Sequence, residues 1–308
     1  MLRKMKMIRL FLISILPGFV FANPMVGALM TVNDYFRGTA GERMIFYSDE
    51  SAGQSIQISL DSRYYDFRYG WREGGDTFNF KRYSRHIDIF SFGCQMSDRF
   101  QLEIRVPYVR LNYKHPIEKD DYSNAGLSDI SINGTYRIFY IPEKYSSFFL
   151  TGLKIPTGYY KRDLKDLKLN LGTGSYDIPI ALRNDFSNSG LDLFLDIGYI
   201  FIGKCDGVSF WQNEKMDIGD EIFSDFVFSG NVYKSIFVKF EMNWFKVFNP
   251  DDNVPNTIVY PEQSKLSVTP SIIWKSRNDK IFIEIGCLFD VWGRNTFGGI
   301  SPVIKIQI

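Results

Sequence analysis

The stretch Leu191 to Phe201, LDLFLDIGYIF, decides the fold. Its odd positions, Leu191, Leu193, Leu195, Ile197, Tyr199 and Phe201, are all large and apolar, whereas the even ones are mostly acidic or small (Asp192, Asp196, Gly198). A period of two belongs to a β-strand whose two faces meet different surroundings. The pattern recurs in both directions along the chain. Leu102, Ile104 and Val106 oppose Glu103 and Arg105; Ile130, Ile132, Tyr136 and Ile138 oppose Ser131, Asn133, Thr135 and Arg137; Ile178, Ile180 and Leu182 oppose Asp177, Ala181 and Arg183. Val238, Phe240, Met242 and Trp244 oppose Lys239, Glu241 and Asn243, and Ile281, Ile283 and Ile285 oppose Lys280 and Glu284. Leu266, Val268, Ile272 and Trp274 oppose Lys265, Ser267, Thr269 and Ser271, and Ile304, Ile306 and Ile308 oppose Lys305 and Gln307.

The alternation predicts twelve strands, near 55–69, 77–96, 99–113, 126–141, 146–156, 175–186, 190–203, 217–232, 235–248, 263–275, 279–293 and 298–308. The first two are open to either register around Tyr64-Tyr65 and Phe78–Ile89. Connections alternate in length. Short turns at Ser97-Asp98, Pro142–Lys144, Ser187–Ser189, Lys234-Ser235 and Ser276–Asn278 are separated by longer polar loops near 114–125, 157–174, 204–216 and 249–262. That arrangement, with Trp244, Trp274, Trp292, Tyr108, Tyr113, Tyr140 and Tyr199 near strand ends, fits a transmembrane antiparallel up-and-down β-barrel with short periplasmic turns, long outer loops and aromatic girdles. A water-soluble β-sandwich would turn its polar face outward and show no such alternation of loop lengths. The expected fold class is therefore all-β, with both barrel ends in the periplasm and the protein in the bacterial outer membrane.

Composition agrees with that reading. Aromatic residues make up 17% of the chain, with 28 Phe and 18 Tyr, and mean hydropathy is slightly negative at −0.14. Residues 1–22 combine a basic segment (Arg3, Lys4, Lys6, Arg9), an apolar stretch from Leu10 to Phe21 and small Ala22, the pattern of a signal peptide. Its removal takes the 36 Lys+Arg to 32 against 35 Asp+Glu, so nucleic acid is not an expected partner. Residues 23–53, carrying Gly27, Gly38, Gly41 and Gly53, form an N-terminal segment able to enter the lumen as a plug, and 54–308 the barrel. Cys94, Cys205 and Cys287 are too few and too scattered for a disulfide framework or a zinc site.

Gly172-Thr173-Gly174-Ser175 resembles a phosphate loop only superficially. No Lys-Ser/Thr pair follows it, and Tyr176 to Phe186 alternates as a strand, so no helix amino terminus is at hand. The expected role is a tight bend where a long external loop re-enters the wall.

Several motifs occur in order: Ser97-Asp98-Arg99-Phe100, Val106-Pro107-Tyr108, Leu127-Ser128-Asp129-Ile130, Lys154-Ile155-Pro156-Thr157-Gly158, Gly172-Thr173-Gly174-Ser175-Tyr176-Asp177, Gly198-Tyr199 and Asp217-Ile218-Gly219-Asp220. Together, over about residues 90–275, they resemble the meta-pathway of phenol degradation family of bacterial outer-membrane proteins, distantly similar to long-chain fatty acid transporters. The sequence departs from that pattern at Ser128-Asp129, where Gly-Asp is usual, and at its end in Ile308, where an aromatic residue commonly serves the barrel assembly machinery. The resemblance implies an outer-membrane barrel engaged in uptake of hydrophobic or aromatic compounds.

The inward list from alternation is Glu103, Arg105, Arg137, Asp177, Arg183, Asp185, Asp192, Asp196, Asp225, Lys239, Glu241, Lys265, Lys280, Glu284, Asp290 and Lys305. Signs are mixed, which favours pairing across neighbouring strands, Glu284 with Lys305 for instance, over a single-sign selectivity ring. Twelve strands fall between filled eight-stranded barrels and open sixteen-stranded porins, so a narrow passage is expected. The chain holds 2 histidines, His86 and His115, each read as a solvated loop histidine without an identifiable strand-mounted serine partner, so no enzyme is expected. No catalytic, cofactor-binding or metal-binding residues are assigned; Asp217, Asp220 and Glu221 lack the order of an EF-hand. Lys161, Arg162, Asp163, Lys165, Asp166 and Lys168 are read as a solvated loop face, with holding of anionic lipopolysaccharide or solute by charge attraction as the lesser alternative; outer-membrane lipid and lipopolysaccharide are the expected surroundings. The expected function is a channel passing small hydrophobic or aromatic solutes, with a closed structural or surface anchor as the alternative and a lipid hydrolase as a weaker one.

Overall fold

A computed structural model describes residues 56–71, 77–114, 121–142, 144–158, 171–188, 190–203, 205–206, 215–216, 219–248, 262–276, 281–294 and 296–308. The expected leader 1–22, the possible plug 23–53, His115, Asp217, Lys280 and the basic loop 161–168 lie outside them. All described elements are strands: β1 (Ile56–Trp71), β2 (Thr77–Ser97), β3 (Phe100–Lys114), β4 (Asp121–Leu127), β5 (Ile130–Ile141), β6 (Tyr145–Ile155), β7 (Asp177–Asn188) and β8 (Leu191–Ile202). There follow the short β9 (Cys205–Asp206) and β10 (Lys215–Met216), then β11 (Glu221–Tyr233), β12 (Ile236–Val247), β13 (Gln263–Lys275), β14 (Phe282–Arg294) and β15 (Thr296–Gln307).

Thirteen strands form one antiparallel sheet that closes on itself, because β2 pairs with β3 as well as with β1. β4 and β5 both pair with β3 and act as one interrupted stave, so the wall is a twelve-strand up-and-down barrel. The seam is sealed at the chain end, where Ile308 N donates to Ile58 O at 2.9 Å and Ile58 N to Ile308 O at 3.1 Å. Closure gives each stave a hydrogen-bonded neighbour on both sides, save for the β4 segment, which pairs with β3 alone among the described strands; paired edges are what crossing hydrocarbon without water requires. β9 and β10 make a separate ribbon in the connection between β8 and β11.

The period of two sorts the side chains. Leu191, Ile197 and Phe201 on β8, Val238 and Phe240 on β12, and Ile285 and Val291 on β14 are exposed on the outside, whereas Asp192, Asp196, Lys239, Glu241, Glu284 and Asp290 are buried inside. A single-layer wall with an apolar outer face and a polar inner one is the inverse of a soluble barrel and suits lipid. Trp274 and Trp292 lie outward near strand ends. The register of β1 and β2, open from sequence, is set by cross-strand pairing: Tyr64 opposes His86 and faces out, while Tyr65 and Arg85 face in.

The expected strand 126–141 departs from observation at one point. Its hydrogen bonding breaks at Ser128-Asp129, and the chain resumes pairing with β3 further toward the loops through β4. Ser128 N still donates to Pro107 O at 2.9 Å, so the wall stays joined across the break. Pro107 lacks an N–H to complete the ladder there, a local reason for the interruption.

Candidate lumen and its constriction

Alternation places a charge on the inner face of nearly every stave, and the structure ties these charges together. Arg183 Nε and Nη2 reach the two oxygens of Asp196, its register partner, at 2.9 and 2.7 Å. Lys239 Nζ lies 2.6 Å from Glu284 and 3.1 Å from Glu241, and Lys265 lies 3.1 Å from Asp290. Arg105 reaches Glu103 at 2.8 Å, and Arg63 pairs with Asp61. Three of these contacts, Asp61–Arg63, Glu103–Arg105 and Lys239–Glu241, join residues two apart on one strand rather than residues of neighbouring strands, as had been expected. Same-face residues two apart are separated by about 7 Å, within reach of a long basic side chain. Glu284 does stand opposite Lys305 in register, and its Oε1 also accepts from Ser271 Oγ at 2.8 Å. Asn243 bridges Asp225 (2.7 Å) and Glu241 (3.0 Å), and Ser187 donates to Asp192 at 2.7 Å.

Of the inward candidates, Glu103, Arg105, Asp177, Arg183, Asp192, Asp196, Asp225, Lys239, Glu241, Lys265, Glu284, Asp290 and Lys305 are buried. Asp185 is only half-buried. Arg137 is half-buried at a bulge near the short turn, its guanidinium 4.6 Å from the Tyr140 ring, so it leans to the rim. Alternation alone missed Asp61, Arg63, Arg85, Asp129, Lys154 and Glu221, all buried. The first three sit on strands of ambiguous register, and the rest lie at strand ends or a strand break.

The inner face is not polar throughout. Tyr65, Phe67, Ile87, Ile89, Val109, Leu111, Leu288 and Val303 form one buried apolar cluster on the adjoining staves β14, β15, β1, β2 and β3. Tyr65 and Phe67 stack with ring centroids 5.7 Å apart. Across the barrel, Ile200, Phe223, Phe245 and Val247 are buried in the loop-side halves of β8, β11 and β12.

A ninth member of the cluster, Leu171, comes from the connection between β6 and β7. Leu171, Gly172, Thr173 and Ser175 are buried, so the glycine run is folded inward rather than bending over the outer rim as expected. The strand break makes the room. Asp129 accepts hydrogen bonds from Thr173 N (2.7 Å), Thr173 Oγ1 (2.9 Å) and Gly158 N (3.0 Å), while Ser128 Oγ donates to Leu171 O. Lys154 sits beneath, paired with Asp177 and 3.7 Å from Asp129, and Ser175 Oγ donates to Asp177 at 2.8 Å. Two glycines are sterically obligatory. A Cβ on Gly172 would collide with Asp129, and one on Gly158 would come 2.9 Å from Gly172 Cα. Gly174 turns the chain with φ 72°, in the left-handed region. The Ser-Asp and Gly-Thr-Gly-Ser motifs thus form one latch that carries Leu171 to the apolar wall.

His86 is not in a loop. It lies within β2 on the outer face of the wall, and strand-mounted Ser62 on β1 stands 2.9 Å from its Nε2. Sequence spacing could not reveal this pair, which is 24 residues apart and joined only by register. Among the described residues no group of three His, Cys, Asp or Glu could hold a metal.

No protein-family profile and no curated protein matches the sequence. Solved structures do match by fold. The COG4313 outer membrane channel from Pseudomonas putida F1 superposes with a TM-score of 0.67 at 11% identity, over 84% of this chain and 98% of the channel. The translocator domain of autotransporter NalP from Neisseria meningitidis gives a TM-score of 0.48 at 10% identity, covering 92% of this chain and 98% of that one. A Pseudomonas aeruginosa FadL homologue gives 0.36 at 8% identity, over 83% and 90%. The first likeness shows the fold, an antiparallel barrel of the kind found in that outer-membrane channel; at 11% identity it carries the fold alone.

Proposed function

We propose that the barrel is an outer-membrane channel for small hydrophobic or aromatic solutes, gated by the inward-folded Leu171–Ser175 latch. The observation that carries this reading is the buried apolar cluster on the inner face, to which Leu171 belongs. A water-filled porin lines its interior with polar groups; an apolar inner wall offers a nonpolar solute a favourable path past the ion-paired layer. The resemblance to the phenol-degradation family and the fold shared with the outer membrane channel from Pseudomonas putida support the same reading. The ion pairs described above line that passage, and no bond chemistry is needed.

One observation favours a second reading, a closed barrel serving as a surface or structural anchor: the latch and the paired charges both occupy the interior. Purified protein in planar bilayers and liposomes separates the two. Conductance, together with faster entry of aromatic acids or hydrocarbons, is expected; no conductance and unchanged permeability, with residues 23–53 present or deleted, would leave the anchor.

A further inference from the structure

Ionisable side chains on the lipid-facing side of a membrane protein are costly and call for a function. One group of them stands on the outer face of β1, β2 and β3. Toward the short turns this face is apolar, with Ile58, Phe90, Phe92 and Ile104 exposed. Toward the loops it changes abruptly: Ser62 lies opposite Asp88, and His86 lies between Tyr64 and Arg110. With the long loops outside, this is the outer-leaflet border of the apolar band.

Asp88 is the hub of the group. Its Oδ1 accepts from Ser62 Oγ at 2.7 Å and lies 3.2 Å from His86 Nε2, and its Oδ2 lies 3.4 Å from Arg110 Nη2. The side chains are graded in exposure, with Asp88 17%, His86 31% and Arg110 53% exposed. The acid therefore sits below and the donors open outward. Arg110 lies 5.6 Å from the Tyr108 ring centroid and, among the described residues, gives a hydrogen bond to Asp88 alone, so most of its planar fork of donors faces outward for a ligand.

We propose that this cluster docks the phosphate headgroup of an outer-leaflet lipid, with Arg110 taking two phosphate oxygens, His86 adding a ring N–H, and Ser62 holding Asp88 in place beneath them. Arginine with neighbouring donors suits phosphate, and the apolar residues below continue as a surface for acyl chains. The Ser62–His86 contact also invites a hydrolytic reading. There, however, the acid should hold the far ring nitrogen, whereas Asp88 meets the same Nε2 as Ser62.

Native mass spectrometry of the full chain in detergent, mixed with lipid A or enzymatically dephosphorylated lipid A, tests the proposal. Wild type is expected to retain the phosphorylated form about tenfold better. Arg110→Gln with His86→Gln should remove about that preference, and Arg110→Lys should keep part of it. Heat-modifiable gel migration verifies that each variant is a folded barrel, and the wild-type comparison of the two lipids needs no variant at all. Equal retention of the two lipids by wild type, an unchanged preference in the folded double variant, or displacement of lipid by millimolar inorganic phosphate would overturn the proposal. So would release of fatty acid that Ser62→Ala abolishes, which would make the cluster a hydrolytic site.

Discussion

Gly172→Ala should spring the latch. The new methyl would collide with Asp129 Oδ1 and stand 2.9 Å from its Cγ, closer than real Cβ contacts come. The carboxylate cannot step aside cheaply, because it holds Thr173 N at 2.7 Å, Thr173 Oγ1 at 2.9 Å and Gly158 N at 3.0 Å. Hydrogen bonds to a charged group are worth about 1.5–3 kcal/mol each. Losing one or two of them disfavours the tucked state by roughly 2–4 kcal/mol, about thirtyfold to several hundredfold in its equilibrium. The reporter is Leu171→Cys, since Leu171 is only 3% exposed. Labelling of that cysteine by a membrane-impermeant maleimide tracks the open fraction. Adding Gly172→Ala to it should accelerate labelling at least about tenfold, and Gly172→Ala alone should raise conductance in planar bilayers. A folded barrel with unchanged labelling rate and unchanged conductance would refute the latch.

Arg183→Leu leaves Asp196 buried without its bidentate partner and should cost about 3–5 kcal/mol, whereas adding Asp196→Leu should restore much of the loss; urea unfolding in lipid vesicles measures both. A Cβ on Gly198 would collide with the Phe223 ring and stand 2.8 Å from Ala181 Cβ, so Gly198→Ala should destabilise by about 1–3 kcal/mol in the same assay. If residues 23–53 plug the lumen, their deletion should increase single-channel conductance, and an unchanged trace dismisses the plug. Phe67→Ser and Val109→Ser, on the apolar inner wall, should slow entry of aromatic acids into liposomes while leaving ion conductance no lower.

Much of the barrel was legible because most wall residues obey a rule of period two. LDLFLDIGYIF alternates since lipid lies on one side and the interior on the other, and the same constraint exposes Ile285 and buries Glu284. Alternation fails where a constraint comes from elsewhere. Tyr64-Tyr65 carry similar side chains on opposite faces, so only pairing with β2 chooses between them. Phe194 and Ile200 are apolar yet inward, because the interior of this barrel is partly apolar. Ser62 and His86 lie on separate strands, and no spacing rule links them.

The sequence by itself determined the all-β class, the twelve staves and, beyond the first two, which face of most of them turns inward, because these follow from local periodicity and turn chemistry. Tertiary structure alone decided which charges meet, where the wall breaks and what the glycine run does. Those depend on register and closure: Asp129 finds Thr173 from 44 residues away, and Leu171 reaches β1 to β3, only once the barrel has brought them around its circumference.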